Sequence, residues 1–175
     1  NPEFRMSINL SYIQLQQPDL SQYIYDLLEQ EGIPGEAIIL ELTESMQLQD
    51  YTKYNQLFYQ WGKRGIQISM DDFGAGYSTL NFMKSLPVDI IKIDGGFFMK
   101  NKMDDKNKAV ISAIMQLSNN LHFKTVSEGV ETDEQVEFIK EQGGKYVQGY
   151  YFFKPMPPEE FEGLLEEKRK GGACL

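Results

Sequence analysis

The chain has 175 residues, 17 basic and 26 acidic, for a formal net charge of −9, with 41% hydrophobic content. This suits one domain with a sizeable core, and the acidic balance without a basic stripe argues against duplex nucleic acid or anionic membrane as partners. A single cysteine, Cys174, excludes a disulfide framework and a cysteine-rich zinc site.

No apolar run approaches the ~20 residues of a membrane helix. The opening NPEFRMS lacks the regions of a signal peptide, so a cytoplasmic setting is expected. Phe4 to Leu10 reads as a strand with Asn9 near its C-terminal end. Pro18-Asp19-Leu20-Ser21 opens a helix to about Gln30, with Leu20, Ile24, Leu27 and Leu28 as its apolar face. Gly32-Ile33-Pro34-Gly35 breaks it. Ala37 to Leu42 is the next strand, carrying Glu41, and a helix from about Gln49 to Trp61 is closed by Gly62.

The run Ile66 to Met70 reads as a buried strand that ends in two adjacent acids, Asp71 and Asp72, before Phe73 and the turn Gly74-Ala75-Gly76. A short helix with Leu80, Phe82, Met83 and Leu86 ends before Pro87. Asp89 to Asp94 is a strand carrying Lys92, followed by Gly95-Gly96, a charged loop and a helix over 107–120. Phe123 to Ser127 is a strand with Glu128 at its exit, and a helix over 132–142 ends at Gly143-Gly144. Tyr146 to Phe153 reads as the sixth strand with Gln148 inside it. Pro157-Pro158 starts a last helix, and residues 171–175 form a tail.

Strand and helix thus alternate six times at roughly 20- to 35-residue intervals, the pattern of parallel strands with helical crossovers. Asn9, Glu41, Asp71, Asp72, Glu128 and Gln148 all fall in the C-terminal part of a strand, and Lys92 lies close to the end of its own. In parallel barrels and open α/β sheets the strand C-termini surround the site. Adjacent carboxylates raise each other's pKa unless a cation lies between them, which makes a divalent metal the economical reading of Asp71-Asp72 against a solvated acidic loop. Asp-Phe-Gly at 72–74 also occurs in protein kinases, but no HRD-type or glycine-rich nucleotide loop precedes it. Receiver domains carry an acid pair on their first strand, whereas two strands precede this one.

The motifs ELTES (41–45), DDFGAGYS (71–78), IKID (91–94), SEGVET (127–132) and QGYYF (148–152), with INLS at 8–11, resemble those of the EAL-domain cyclic-di-GMP phosphodiesterases. They appear in family order over nearly the whole chain. The resemblance implies an α/β fold, a modified TIM (β/α) barrel seen here as about six βα units. It implies hydrolysis of cyclic di-GMP to linear pGpG with two Mg²⁺ or Mn²⁺ ions. By position, Asn9, Glu41, Asp71, Asp72 and Glu128 are expected to hold metal, with Asp71 bridging. Lys92 is expected to position or activate the attacking water, either as a cation facing the developing phosphorane or with a pKa depressed by burial. Gln148 is expected in the same catalytic shell, and Glu44 as the anchor of the loop after Asp72. Hard oxygen ligands suit these ions.

The family's Glu-Ala-Leu stretch, which belongs to the first barrel strand, has no counterpart before Asn9. Residues 1–170 are therefore expected to be a partial EAL domain lacking two strands, with little or no turnover by themselves. Two open sheet edges are expected to favour a homodimer or exchanged elements. The alternative is a non-catalytic cyclic-di-GMP-binding signalling module. Among the other residues, Asp94 suits either a second-sphere acid or a strand-end cap, Glu131 a helix cap, His122 a structural role, and Tyr150 to Phe153 mostly core, with Tyr rings able to stack on guanine.

Overall fold

A computed structural model of the chain describes residues 4–43, 51–75, 87–99 and 103–171. Six parallel strands lie in sequence order: β1 (Met6–Asn9), β2 (Ile38–Thr43), β3 (Gln67–Phe73), β4 (Ile90–Ile93), β5 (Lys124–Ser127) and β6 (Tyr146–Val147). Between and after them come helices α1 (Tyr12–Leu15), α2 (Leu20–Glu31), α3 (Tyr51–Lys63), α4 (Asp105–Asn120), α5 (Asp133–Glu141) and α6 (Pro158–Gly171). The expected architecture holds: a half-barrel of the TIM type, with β1 and β6 as its outer strands among the described residues.

The period-2 alternation of a strand sorts side chains between the two faces. Leu40, Leu42, Ile68, Met70 and Ile91 point outward into a buried cluster with Tyr54, Phe58 and Trp61 of α3. Ile93 joins a second cluster with Ile111 and Met115 of α4 and Val136 and Ile139 of α5. The register pairs Asn9 with Glu41, Glu41 with Ser69, Ser69 with Ile90, and Lys92 with Val126. Asn9, Glu41, Ser69, Asp71, Lys92 and Glu128 therefore share the opposite, inner face. Among the described residues no helix is long and apolar enough to cross a membrane.

Several boundaries differ from expectation. Gly62 does not close α3, which runs to Lys63. The exit is made at Gly65 (φ 84°), where Ile66 N–H donates to Trp61 O and Gly65 N–H to Gly62 O in a Schellman turn. Gly32 (φ 63°) ends α2 in the same way. Leu27 is 44% exposed and lies off the packed face of α2, whereas Leu20, Ile24, Tyr25 and Leu28 pack on the core. The expected eight-residue sixth strand is two residues long, so Gln148 follows it. Tyr150, Tyr151, Phe152 and Phe153 are exposed and not core.

The partner strand β5 ends at Ser127, opposite Val147, and the chain then turns over Val130 with glycine at the point of closest approach. A Cβ on Gly149 would stand 2.1 Å from the Val130 carbonyl oxygen, which itself accepts from Tyr151 N–H at 3.0 Å. The backbone turns there instead of extending. Gly149→Ala is therefore expected to destabilise the fold by about 1–3 kcal/mol, read from denaturant unfolding; an unshifted midpoint would contradict the close packing. The expected helix over residues 80–86, Glu44, the Gly76-Tyr77-Ser78 part of the loop and Cys174 lie outside the described residues.

Candidate active site

Lys92 is the centre of the inner face. It is 5% exposed. Its Nζ lies 2.8 Å from Glu128 Oε1, 3.0 Å from Asp71 Oδ1 and 3.1 Å from Glu41 Oε2. Four strands or strand ends thus deliver one ammonium and three carboxylates to a single point. Burial by itself would lower the Lys92 pKa. Its hydrogen bonds to Glu128 and Asp71, with the charges of Glu128 and Glu41, outweigh that and hold it above the usual lysine range. In this arrangement the Lys92 shift is upward, the opposite of the depressed-pKa alternative. Glu128 is pushed above the ordinary carboxylate range by burial; Lys92 draws it down and the Asp71 charge adds to the rise.

Asp71 and Asp72 do not stand at the exit of β3; both lie within it. Adjacent residues of a regular strand point to opposite faces, yet at a bulge these two bring carboxylate oxygens within 4.8 Å of each other. Met70 pairs with Ile91 and Phe73 with Ile93, so two residues of β3 oppose Lys92 alone. Asp72 absorbs the extra residue at φ 56°, in the left-handed region that Asp and Asn tolerate better than most residues. Its N–H donates to Asp71 Oδ1 at 3.1 Å.

Carboxylate oxygens of Asp71, Asp72 and Glu128 all fall within 4.8 Å of one another. These hard, anionic donors fit a divalent cation that prefers oxygen ligands. Glu41 meets Lys92 but lies outside that triple. Asn9 is exposed and in register with Glu41. The Asp72 arrangement separates charge from backbone strain. Asp72→Asn is expected to change stability by less than about 0.5 kcal/mol while weakening Mn²⁺ binding about 10-fold or more, read by isothermal titration; unchanged affinity would remove Asp72 from the ligand set.

Gln148 is exposed, and its side chain does not join the ion cluster. Its N–H donates to Ser127 O at 2.8 Å, and its carbonyl accepts from Val130 N–H at 3.1 Å. It lines a cleft of about 610 Å³ with Glu131, Tyr150, Phe153 and Lys154. Glu131 is not a helix cap: Thr132 caps α5, and the Glu131 N–H donates to Gln135 Oε1. Asp94 is a cap, accepting from Gly96 N–H at 2.8 Å. Sequence reasoning missed Ser69, 1% exposed on the inner face two residues before Asp71, whose hydroxyl has no partner among the described residues; counting back by two from Asp71 finds it.

Residues 1–155 match the EAL domain family. MucR of Pseudomonas aeruginosa, a bifunctional diguanylate cyclase/cyclic di-GMP phosphodiesterase, is 36% identical over 158 residues, covering 90% of this chain and 23% of MucR. The MucR phosphodiesterase in complex with c-di-GMP superposes with a TM-score of 0.82 at 36% identity, covering 90% of this chain and 64% of that one. The EAL domain of Mycobacterium smegmatis DcpA gives 0.88 at 31% identity, with 93% and 73% covered. A manganese/cy-diGMP complex of Klebsiella pneumoniae BlrP1 gives 0.78 at 26% identity, with 86% and 39% covered. The chain spans 19% to 27% of the length of the curated relatives it matches. With the family motifs in order along the chain and their carboxylates gathered on one face of the half-barrel, the chain belongs to the EAL-domain family.

Proposed function

We propose that this chain is the larger part of a metal-dependent phosphodiesterase domain that hydrolyses cyclic di-GMP to linear pGpG. The observation that carries the reading is the excess of acid around one cation: Glu41, Asp71 and Glu128 all contact Lys92, and Asp72 adds a fourth carboxyl group. Asp71, Asp72 and Glu128 would hold Mg²⁺ or Mn²⁺, with Glu41 and Asn9 completing the shell of a second ion. When bound, the ions supply Lewis-acid polarisation of the phosphodiester.

Lys92 keeps its proton on Nζ and offsets charge on the developing phosphorane. Glu128 orients the attacking water. Gln148, Tyr150 and Phe153 line the cleft, where the two aromatic rings would stack on guanine. The related complexes with c-di-GMP and with manganese support this substrate and this class of ion. Chromatographic detection of pGpG formed from cyclic di-GMP with Mn²⁺ tests the reading, for the 175-residue chain and for a version extended upstream by two strands. Product from the extended version that vanishes with a chelator is expected, with little from the shorter chain. Tight nucleotide binding without product from the extended version would favour a signalling module over an enzyme.

A further inference from the structure

The strand ends that carry Lys92 and Glu128 are joined beyond the sheet by a residue with no part in the ion cluster. Gln135, in the first turn of α5, is 3% exposed. Its Oε1 accepts from Glu131 N–H at 2.6 Å and from Thr132 N–H at 3.0 Å. Its Nε2 donates to the Phe98 carbonyl, 37 residues back in the chain. Phe98 ends the 3₁₀ turn Gly95–Phe98, whose Asp94 cap lies two residues after Lys92. Glu131 and Thr132 lie three and four residues after Glu128. One side-chain amide therefore holds the segment after Lys92 to the segment after Glu128.

The same two segments are pressed together at their roots. A Cβ on Gly129 (φ 64°) would lie 2.9 Å from Gly95 Cα, and Glu128 N–H donates to Ile93 O at 3.1 Å. The glycines permit the approach, and Gln135 fixes its far side. From this geometry we infer that Gln135 is a positioning residue, which keeps the Glu128 carboxylate aligned with Lys92 and the Asp71-Asp72 pair by tying the two loops together. This rests on the proposed metal site for its consequence, but the tie itself is independent of any ion.

Two substitutions separate the tie from the helix cap. Gln135→Glu keeps the acceptor of the capping box but presents no donor to the Phe98 carbonyl. Thr132→Ala removes the N-cap acceptor for Gln135 N–H (3.3 Å) and leaves the tie. Titration of the folded full chain with Mn²⁺ is expected to show affinity about 10-fold weaker for Gln135→Glu and near wild type for Thr132→Ala. Equal effects, or none in Gln135→Glu, would overturn the inference and leave Gln135 as a cap. If wild type binds no Mn²⁺, the metal reading fails and amide exchange decides this one. Faster exchange at residues 93–98 and 128–131 in Gln135→Glu alone supports the tie; exchange that rises uniformly, or in both variants alike, overturns it.

Discussion

Replacing Glu128 by Gln is expected to lower cyclic-di-GMP turnover by at least about 100-fold, since even partners of metal ligands typically cost 10–100-fold when removed. Nucleotide affinity is expected to hold, because the cleft beside Gln148 is lined by other residues. Glutamine nearly preserves shape and retains an oxygen. It removes the charge that pairs with Lys92 at 2.8 Å and one of the three carboxylates that lie within 4.8 Å of one another. Turnover and affinity measured on the upstream-extended version would show a drop in kcat with little change in binding. Unaltered turnover would remove Glu128 from the chemistry.

Lys92→Met is expected to act on the fold itself. Glu41 and Lys92 are buried, and the side chains of Asp71 and Glu128 are 15% exposed. Without the ammonium, three carboxylates face one another in a low-dielectric pocket, and loss of one partner of a buried pair typically costs 3–5 kcal/mol. The pH dependence follows from proton binding. Lys92 is raised in the folded state from its ordinary 10.5, so its stabilisation is complete below that value and is lost as pH climbs through the higher folded one. In the variant Glu128, which burial already pushes above the ordinary carboxylate range, loses the ammonium that draws it down, so stability is expected to recover as pH falls through that raised value. Added Mn²⁺ is expected to restore part of the loss by binding the folded state. Denaturant midpoints of wild type and variant, with and without Mn²⁺ and across pH, measure both effects; a variant as stable as wild type without metal would mean that Lys92 is not the counter-ion described.

Most of the half-barrel was legible because its outward residues are plain. Leu40, Leu42, Ile68, Met70 and Ile91 announce buried strands by β-branched and apolar runs, and each lies where such runs predict. The gathering of Glu41, Asp71, Lys92 and Glu128 was legible as strand-end polarity. The failures come from tertiary contact. YVQGYYFF reads locally as a strand, but its partner β5 ends at Ser127 and the chain turns over Val130 after Gln148. Leu27 fits the helical period of α2 and still faces solvent. The bulge at Asp71-Asp72 leaves no trace in hydrophobic pattern, because it exists only in relation to Lys92 on the neighbouring strand. Gln135 was invisible for the same reason: its partner Phe98 is remote in sequence.

That bulge has a genetic meaning. The pairs on either side of it, Met70 with Ile91 and Phe73 with Ile93, would match a regular ladder if one residue between them were missing. A single codon therefore separates a strand that offers the site two acids from one that offers it one, with the register of the surrounding wall the same in both cases. Loss of one codon there would remove a carboxylate from the cluster and leave the flanking pairs in regular register.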